Sequence, residues 1–123
     1  MYEHVFVRAK GSPYAHFQRA IERRHLLSAE TAARELPTLS IADALALCLL
    51  LAEQDPERFD RVGARWHGRF VLEARAISLF ESQLALAAVA ALPRCDPNAV
   101  NAIRELSRRY TVPNVEAALR HFR

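Results

Sequence analysis

Glycine is scarce in this chain of 123 residues, with only Gly11, Gly63 and Gly68. The two common phosphate-binding loops each need several closely spaced glycines, so the sequence contains neither. Two cysteines, Cys48 and Cys95, are too few for the disulfide framework of a small secreted domain. We therefore expect two free thiols in a reducing compartment and a cytoplasmic protein.

Long apolar runs and targeting signals are missing as well. The apolar runs 44–52 and 84–92 have nine residues each, whereas a transmembrane helix needs about 20. The N-terminal residues show no basic segment followed by an apolar one, which is the pattern of a secretory signal. A soluble protein with no membrane partner is expected.

The motifs of catalysis and metal binding are also lacking. The sequence contains no GxSxG or HExxH, and no histidine and cysteine stand at metal-ligand spacing. Cys48 lies in a leucine-rich run, where burial would raise the pKa of a thiol and make it unreactive. We expect a protein that is not an enzyme and that holds neither a metal nor a cofactor.

What the sequence does contain is a globular composition with helical patterning. Apolar residues make up 51% and charged residues 25%, with a formal net charge of +3. This balance excludes a disordered chain, and the length suits one domain. Alternation typical of a strand occurs only at 3–8, so the first 12 residues are expected to form an extended N-terminal arm. The remainder, 13–123, is predicted to be a single compact all-α domain of six or seven helices.

Helix start signals recur along the chain. Three pairs place an N-cap acceptor before a proline at the first helical position, and three serines have a polar residue three positions later. The pairs are Ser12-Pro13, Asp55-Pro56 and Asp96-Pro97, and the serines are Ser28, Ser40 and Ser78. Together these signals predict helices over 13–25, 28–36, 40–54, 56–74, 78–92, 97–110 and 114–122.

The same signals indicate a repeat and a pair of unusual helices. Segments 39–74 and 77–110 each read as a serine-capped apolar helix, then Asp-Pro, then a more polar helix, so they could be two stacked helical hairpins. Residues 41–52 include one polar side chain, Asp43 at the cap, and residues 84–92 include none. A helix that is apolar on all sides must be covered on all sides. We expect both helices to lie centrally, with the alternative that one of them faces a second subunit.

A stripe of arginines is the sharpest polar feature. At about 100° per residue, one face of the predicted helix 56–74 carries Arg58, Arg61, Arg65 and Arg69, with Trp66 beside it. Such a face could bind phosphates or an acidic partner, or it could be a solvated face whose arginine stems cover the edge of the core. These five residues are the predicted partner contacts.

The C-terminal residues 101–123 have the outline of a helix-turn-helix. Five arginines would surround it as nucleic-acid contacts: Arg104, Arg108, Arg109, Arg120 and Arg123. Thr111 stands where the turn usually has glycine, and the reading helix would carry an unfavourable Glu116.

Two functions therefore stay open. The first is a non-catalytic α-helical interaction module that presents the arginine-rich face to a protein partner or to its own copy as a homodimer. The alternative is a small nucleic-acid-binding transcriptional regulator that uses 101–123.

Overall fold

The computed structural model describes residues 12–120, and all regular secondary structure in this range is helical. The prediction of an all-α fold is confirmed. The described range contains seven α-helices and one short 3₁₀ turn. They are α1 (Pro13–Glu22), α2 (Leu26–Arg34), α3 (Ile41–Gln54), α4 (Pro56–Glu73), α5 (Leu79–Ala91), the 3₁₀ turn (Leu92–Arg94), α6 (Pro97–Arg109) and α7 (Val115–Leu119). The predicted arm over 1–12 lies outside the described residues except for Ser12.

The chain separates into two compact units, with the boundary between Leu39 and Ser40. Helices α1 and α2 belong to the first unit, and α3 to α7 belong to the second. The single domain over 13–123 stays a prediction, as do the hairpin repeats within it.

The first unit contains a hairpin in which α1 and α2 pack together, with Phe17 and Ala20 of α1 and Ala29 and Ala32 of α2 buried. Ser12 caps α1 by accepting a hydrogen bond from the Ala15 amide at 3.1 Å. Helix α1 ends at Glu22 because Arg24 takes up a left-handed conformation with φ of 58°, which cannot continue a helix.

The predicted serine cap at Ser28 is wrong. Helix α2 begins two residues earlier, at Leu26, and its N-cap is His25. The imidazole Nδ1 of His25 accepts a hydrogen bond from the Ser28 amide at 3.2 Å. A histidine can fill this role because its unprotonated ring nitrogen is an acceptor, but the usual cap preferences do not point to it.

In the second unit, α3 packs against α4, α4 against α5, and α5 against α6, while α7 packs against α3 and α6. Ser40 and Ser78 are caps as predicted, because each hydroxyl accepts from the amide three residues later, at 3.0 Å in both cases. Asp96 caps α6 by accepting from the Asn98 amide at 2.9 Å. Asp55 precedes α4 as predicted, but it makes no side-chain cap and instead accepts from Arg58 Nε at 2.6 Å.

The two all-apolar helices differ in how far they are covered. Eight of the 14 residues of α3 are buried, including Leu45 and Leu49. Helix α5 buries only Ala85, Ala88, Val89 and Ala91 of its 13 residues. The expected central position therefore holds for α3 and is wrong for α5, since one side of α5 remains exposed to solvent.

Candidate functional site

The exposed side of α5 is the most unusual surface of the second unit. Four of its large apolar side chains are exposed to solvent, Leu79 and Phe80 at 76%, Leu84 at 45% and Leu86 at 44%. Gln83, Ala87 and Ala90 are exposed between them. At 100° per residue these seven positions span an arc of about 160°. We call this set the α5 face: Leu79, Phe80, Gln83, Leu84, Leu86, Ala87 and Ala90.

The α5 face contains no charged residue, and Gln83 is its one polar member. The surfaces of soluble monomers rarely have contiguous apolar patches of more than a few hundred Å². A helix with apolar residues on all sides is normally buried on all sides, so the α5 face lacks the cover that its sequence requires.

The opposite side of α5 is held against α4 by close packing. Gly63 of α4 leaves room for this contact, since a Cβ there would lie 3.2 Å from Val89 Cγ1 and 3.0 Å from Phe59 Cε2. Ala85 and Val89 are almost fully buried on this side. The orientation of α5 is therefore fixed by the packing of small residues, and its larger side chains point outward.

A groove with both apolar and charged lining residues borders the α5 face. It has a volume of about 580 Å³ and lies between α5 and α6. Its lining consists of apolar Leu84, Ala102 and Leu106 together with charged Glu81, Glu105, Arg108 and Arg109. An apolar centre with a polar rim is the usual anatomy of a protein–protein interface.

Glu81 is the most constrained acid of this rim. Its carboxylate accepts hydrogen bonds from the Tyr110 hydroxyl and, at 3.2 Å, from the Ser78 hydroxyl, and it lies 3.5 Å from Arg109 Nε. The hydrogen bond from Tyr110, together with the charge of Arg109, holds the pKa of Glu81 below its ordinary value of 4.5. The same hydrogen bond raises the pKa of Tyr110. These contacts join the start of α5 to the end of α6.

The predicted arginine stripe lies on α4, but half of it is paired within the helix. Arg58 is 2.6 Å from Asp55, and Arg69 is 3.2 Å from Glu73. Arg61 and Arg65 are exposed and have no ion-pair partner among residues 12–120. Two of the four arginines thus remain open to a partner.

Trp66 lies in the core rather than beside the arginines on the surface. Its side chain is 3% exposed, its indole Nε1 donates a hydrogen bond to the Ile41 carbonyl at 2.9 Å, and its ring stacks on Phe70 at 5.2 Å between centroids. The aromatic partner contact that the sequence suggested is therefore a packing residue that joins α4 to α3.

The C-terminal arginines are also largely engaged. Arg104 donates to Asn101 Oδ1 at 2.6 Å, and Arg109 lies over the Tyr110 ring in addition to its contact with Glu81. Arg108 lies 2.9 Å from Glu105 and 3.1 Å from Glu116.

Helix α7, the predicted reading helix, has only five residues within the described range. Val115, Ala118 and Leu119 are buried, which leaves little of the helix to enter a groove of DNA. Arg120 is exposed, and Arg123 lies outside the described residues.

The comparisons with known proteins add no information on function. The chain matches no family model, no curated protein and no solved structure. Function must therefore be inferred from the residues and contacts described above.

Two findings concern the reactive groups of the described residues. Burial raises the pKa of the Cys48 thiol to about 12, so this thiol is not a nucleophile at neutral pH. Residues 12–120 include no group of three or more His, Cys, Asp or Glu that could hold a metal ion. In the same part of the chain, no helix has both the length and the apolar character to cross a membrane.

The sequence interpretation identified α5 as unusual but did not identify its exposed face. The sequence signal was the apolar run 84–92, in which no polar residue indicates the side that faces solvent. Which half of such a helix is covered depends on its neighbours, here on α4 at Gly63. The pattern of α5 alone does not specify this choice.

Proposed function

We propose that the protein is a non-catalytic α-helical interaction module that pairs with a second copy of itself through the α5 face. The observation that carries this proposal is the exposure of four large apolar side chains on one charge-free side of a helix. The proposal therefore places the interaction surface on α5 rather than on the arginine stripe predicted from the sequence. The free thiols Cys48 and Cys95 suit a reducing compartment such as the cytoplasm.

Removal of the α5 face from water would supply the driving force for dimerisation. Complete burial of a leucine or phenylalanine side chain stabilises by about 1.5–3 kcal/mol. Burial of Phe80 and Leu79 in an interface would contribute most of this free energy, because three quarters of each side chain is exposed. An interaction that covers both residues would be favourable without any charged contact.

A second copy is the occupant that best fits the chemistry of the face. A charge-free surface cannot select a charged partner and is complementary to another apolar surface of similar shape. In an isologous dimer the same patch serves both subunits. Ala87 and Ala90 keep the C-terminal part of the face shallow, which allows two such helices to approach closely.

The area of the face indicates a reversible dimer. Two copies that pair through α5 would bury on the order of 1,000 Å² in total, toward the lower end of specific interfaces. An interface of this size forms and dissociates readily, so dimerisation should depend on concentration. Arg108 and Arg109 would lie at its rim, beside the groove.

The nucleic-acid alternative is less well supported by the contacts. Arg108 is held by two glutamates, and most of the apolar side chains of α7 are buried. No contact of 101–120 favours base reading over ordinary surface pairing.

The experiment that tests the proposed function compares variants by light scattering after size exclusion. Phe80→Glu places a charge on the α5 face and should give a monomer at concentrations where the unmodified chain is a dimer. Leu72→Glu is the matched control, because Leu72 is 80% exposed on α4 and lies outside the α5 face. An unmodified chain that is monomeric throughout, or a dimer that both substitutions leave intact, would refute the proposal.

A further inference from the structure

The first unit contains a cleft that the proposed function does not use. It has a volume of about 670 Å³ and lies between α1 and α2. Ligand pockets range from roughly 300 to 1,000 Å³, so the cleft can hold a small organic molecule. Buried Ala20 and Ala32 form its floor, and the small size of these two residues leaves the space open.

Basic side chains dominate one wall of this cleft. His16 and Arg19 lie on α1, and Arg23 is the residue that caps its C-terminus. Their spacings of three and four residues put them on the same side of the helix. Like charges at this spacing destabilise a helix slightly, so the two arginines lower helix stability a little when no anion is nearby. The side chains of Arg19 and Arg23 have no hydrogen-bond or ion-pair partner within residues 12–120.

The second wall adds hydrogen-bond donors. His25 uses Nδ1 to accept from the Ser28 amide, so its neutral ring carries the proton on Nε2 and can donate to a ligand. Ser28 also lines the cleft. Glu35, the one acid in the lining, forms no ion pair with either arginine within the described chain.

We propose that this cleft binds a small organic molecule that carries a phosphate group. Arg19 and Arg23 would hold the phosphate, because planar guanidinium groups pair with phosphate oxygens in a bidentate geometry. His25 Nε2 and the Ser28 hydroxyl would donate to the same group or to its ester oxygen. The floor of Ala20 and Ala32 would contact the apolar part of the molecule.

The test uses inorganic pyrophosphate as the probe and the full chain as the protein. Titration followed by proton–nitrogen NMR should give saturable shifts confined to amides between residues 16 and 35. The double variant Arg19→Gln/Arg23→Gln should bind at least about tenfold more weakly, since it removes the charged hydrogen-bond donors of both arginines. Unchanged circular dichroism would show that the variant is folded.

Arg34→Gln is the matched control, because Arg34 is exposed on α2 and does not line the cleft. It removes one positive charge outside the cleft, where the double variant removes two, and should leave the affinity within about twofold. Three results would overturn the proposal: shifts that do not saturate, equal weakening by the double variant and by the control, or displacement of pyrophosphate by duplex DNA at much lower concentration. The last result would identify the cleft as a contact for a nucleic-acid backbone.

Discussion

Trp66 joins two helices through both its ring and its indole nitrogen. The ring stacks on Phe70 within α4, and the nitrogen donates to the Ile41 carbonyl at the start of α3. A buried tryptophan whose N–H is satisfied contributes both apolar area and a directional bond. Its role at this position is structural, and Arg65 beside it is exposed.

Trp66→Ala should therefore destabilise the folded chain by about 3–5 kcal/mol, whereas Arg65→Ala should change the stability by less than about 0.5 kcal/mol. Urea unfolding followed by circular dichroism measures both. If Trp66→Ala left the free energy of unfolding unchanged, the core assignment would fail and a surface contact would become the better explanation.

The two thiols should react at very different rates. Cys48 is buried, with its thiol pKa raised to about 12, and Cys95 is exposed after the 3₁₀ turn. A thiol reagent such as DTNB should label one cysteine per native chain quickly and both in denaturant. Fast labelling of two thiols in the native protein would show that α3 is not packed as described.

At the scale of the element, the two helical glycines of α4 have opposite surroundings. A Cβ at Gly63 would press on Phe59 and Val89, both almost fully buried, whereas a Cβ at Gly68 would meet nothing within 4 Å. Gly63 is thus required by the close approach of α5. At Gly68, helix propensity alone decides how a substitution changes the stability.

Gly68→Ala should stabilise by about 0.5–1 kcal/mol, the usual gain in a helix interior. Gly63→Ala should instead destabilise, because overpacking costs about 1–3 kcal/mol and exceeds the gain in propensity. The urea unfolding midpoints of the two variants and of the unmodified chain measure these changes in stability. Equal stabilisation by both would mean that α4 and α5 are not in close contact at Gly63.

The link between α5 and α6 should depend on pH. Since the pKa of Glu81 is lowered in the folded state, its stabilisation is complete above the ordinary value of 4.5 and is lost as the pH falls through the folded value. The unmodified chain should therefore be more stable than Glu81→Gln at neutral pH. This difference should shrink below pH 4.5.

Urea unfolding of both proteins at several pH values measures this difference. A difference that stayed constant from neutral to acidic pH would show that the hydrogen bond from Tyr110 does not favour the ionised carboxylate.

Most helices could be predicted from the sequence because their caps are local. Ser12, Ser40, Ser78 and Asp96 each accept from an amide two or three residues later, and such a contact depends only on neighbouring residues. The start of α2 was missed because histidine is an unusual cap. The exposed face of α5 does not follow from its sequence, because it depends on how α5 packs on α4 rather than on neighbouring residues within the helix.

At the scale of the whole molecule, the charge and the proposed interface are separate features. The chain carries a formal net charge of +3, whereas the α5 face carries none. A dimer that forms through this face should be insensitive to ionic strength or should become tighter with sulfate, because excluded salts strengthen apolar burial. A dimer that forms through Arg61 and Arg65 would weaken as salt screens their charges.

The measurement that tests the central claim most directly is sedimentation equilibrium of the unmodified chain over a range of concentrations, at low and at high salt. We predict a reversible change from the monomer mass of 13.9 kDa to twice that mass, with a dissociation constant that high salt leaves unchanged or lowers. A mass that stays at the monomer value, or a dimer that dissociates as salt is added, would contradict pairing through the α5 face.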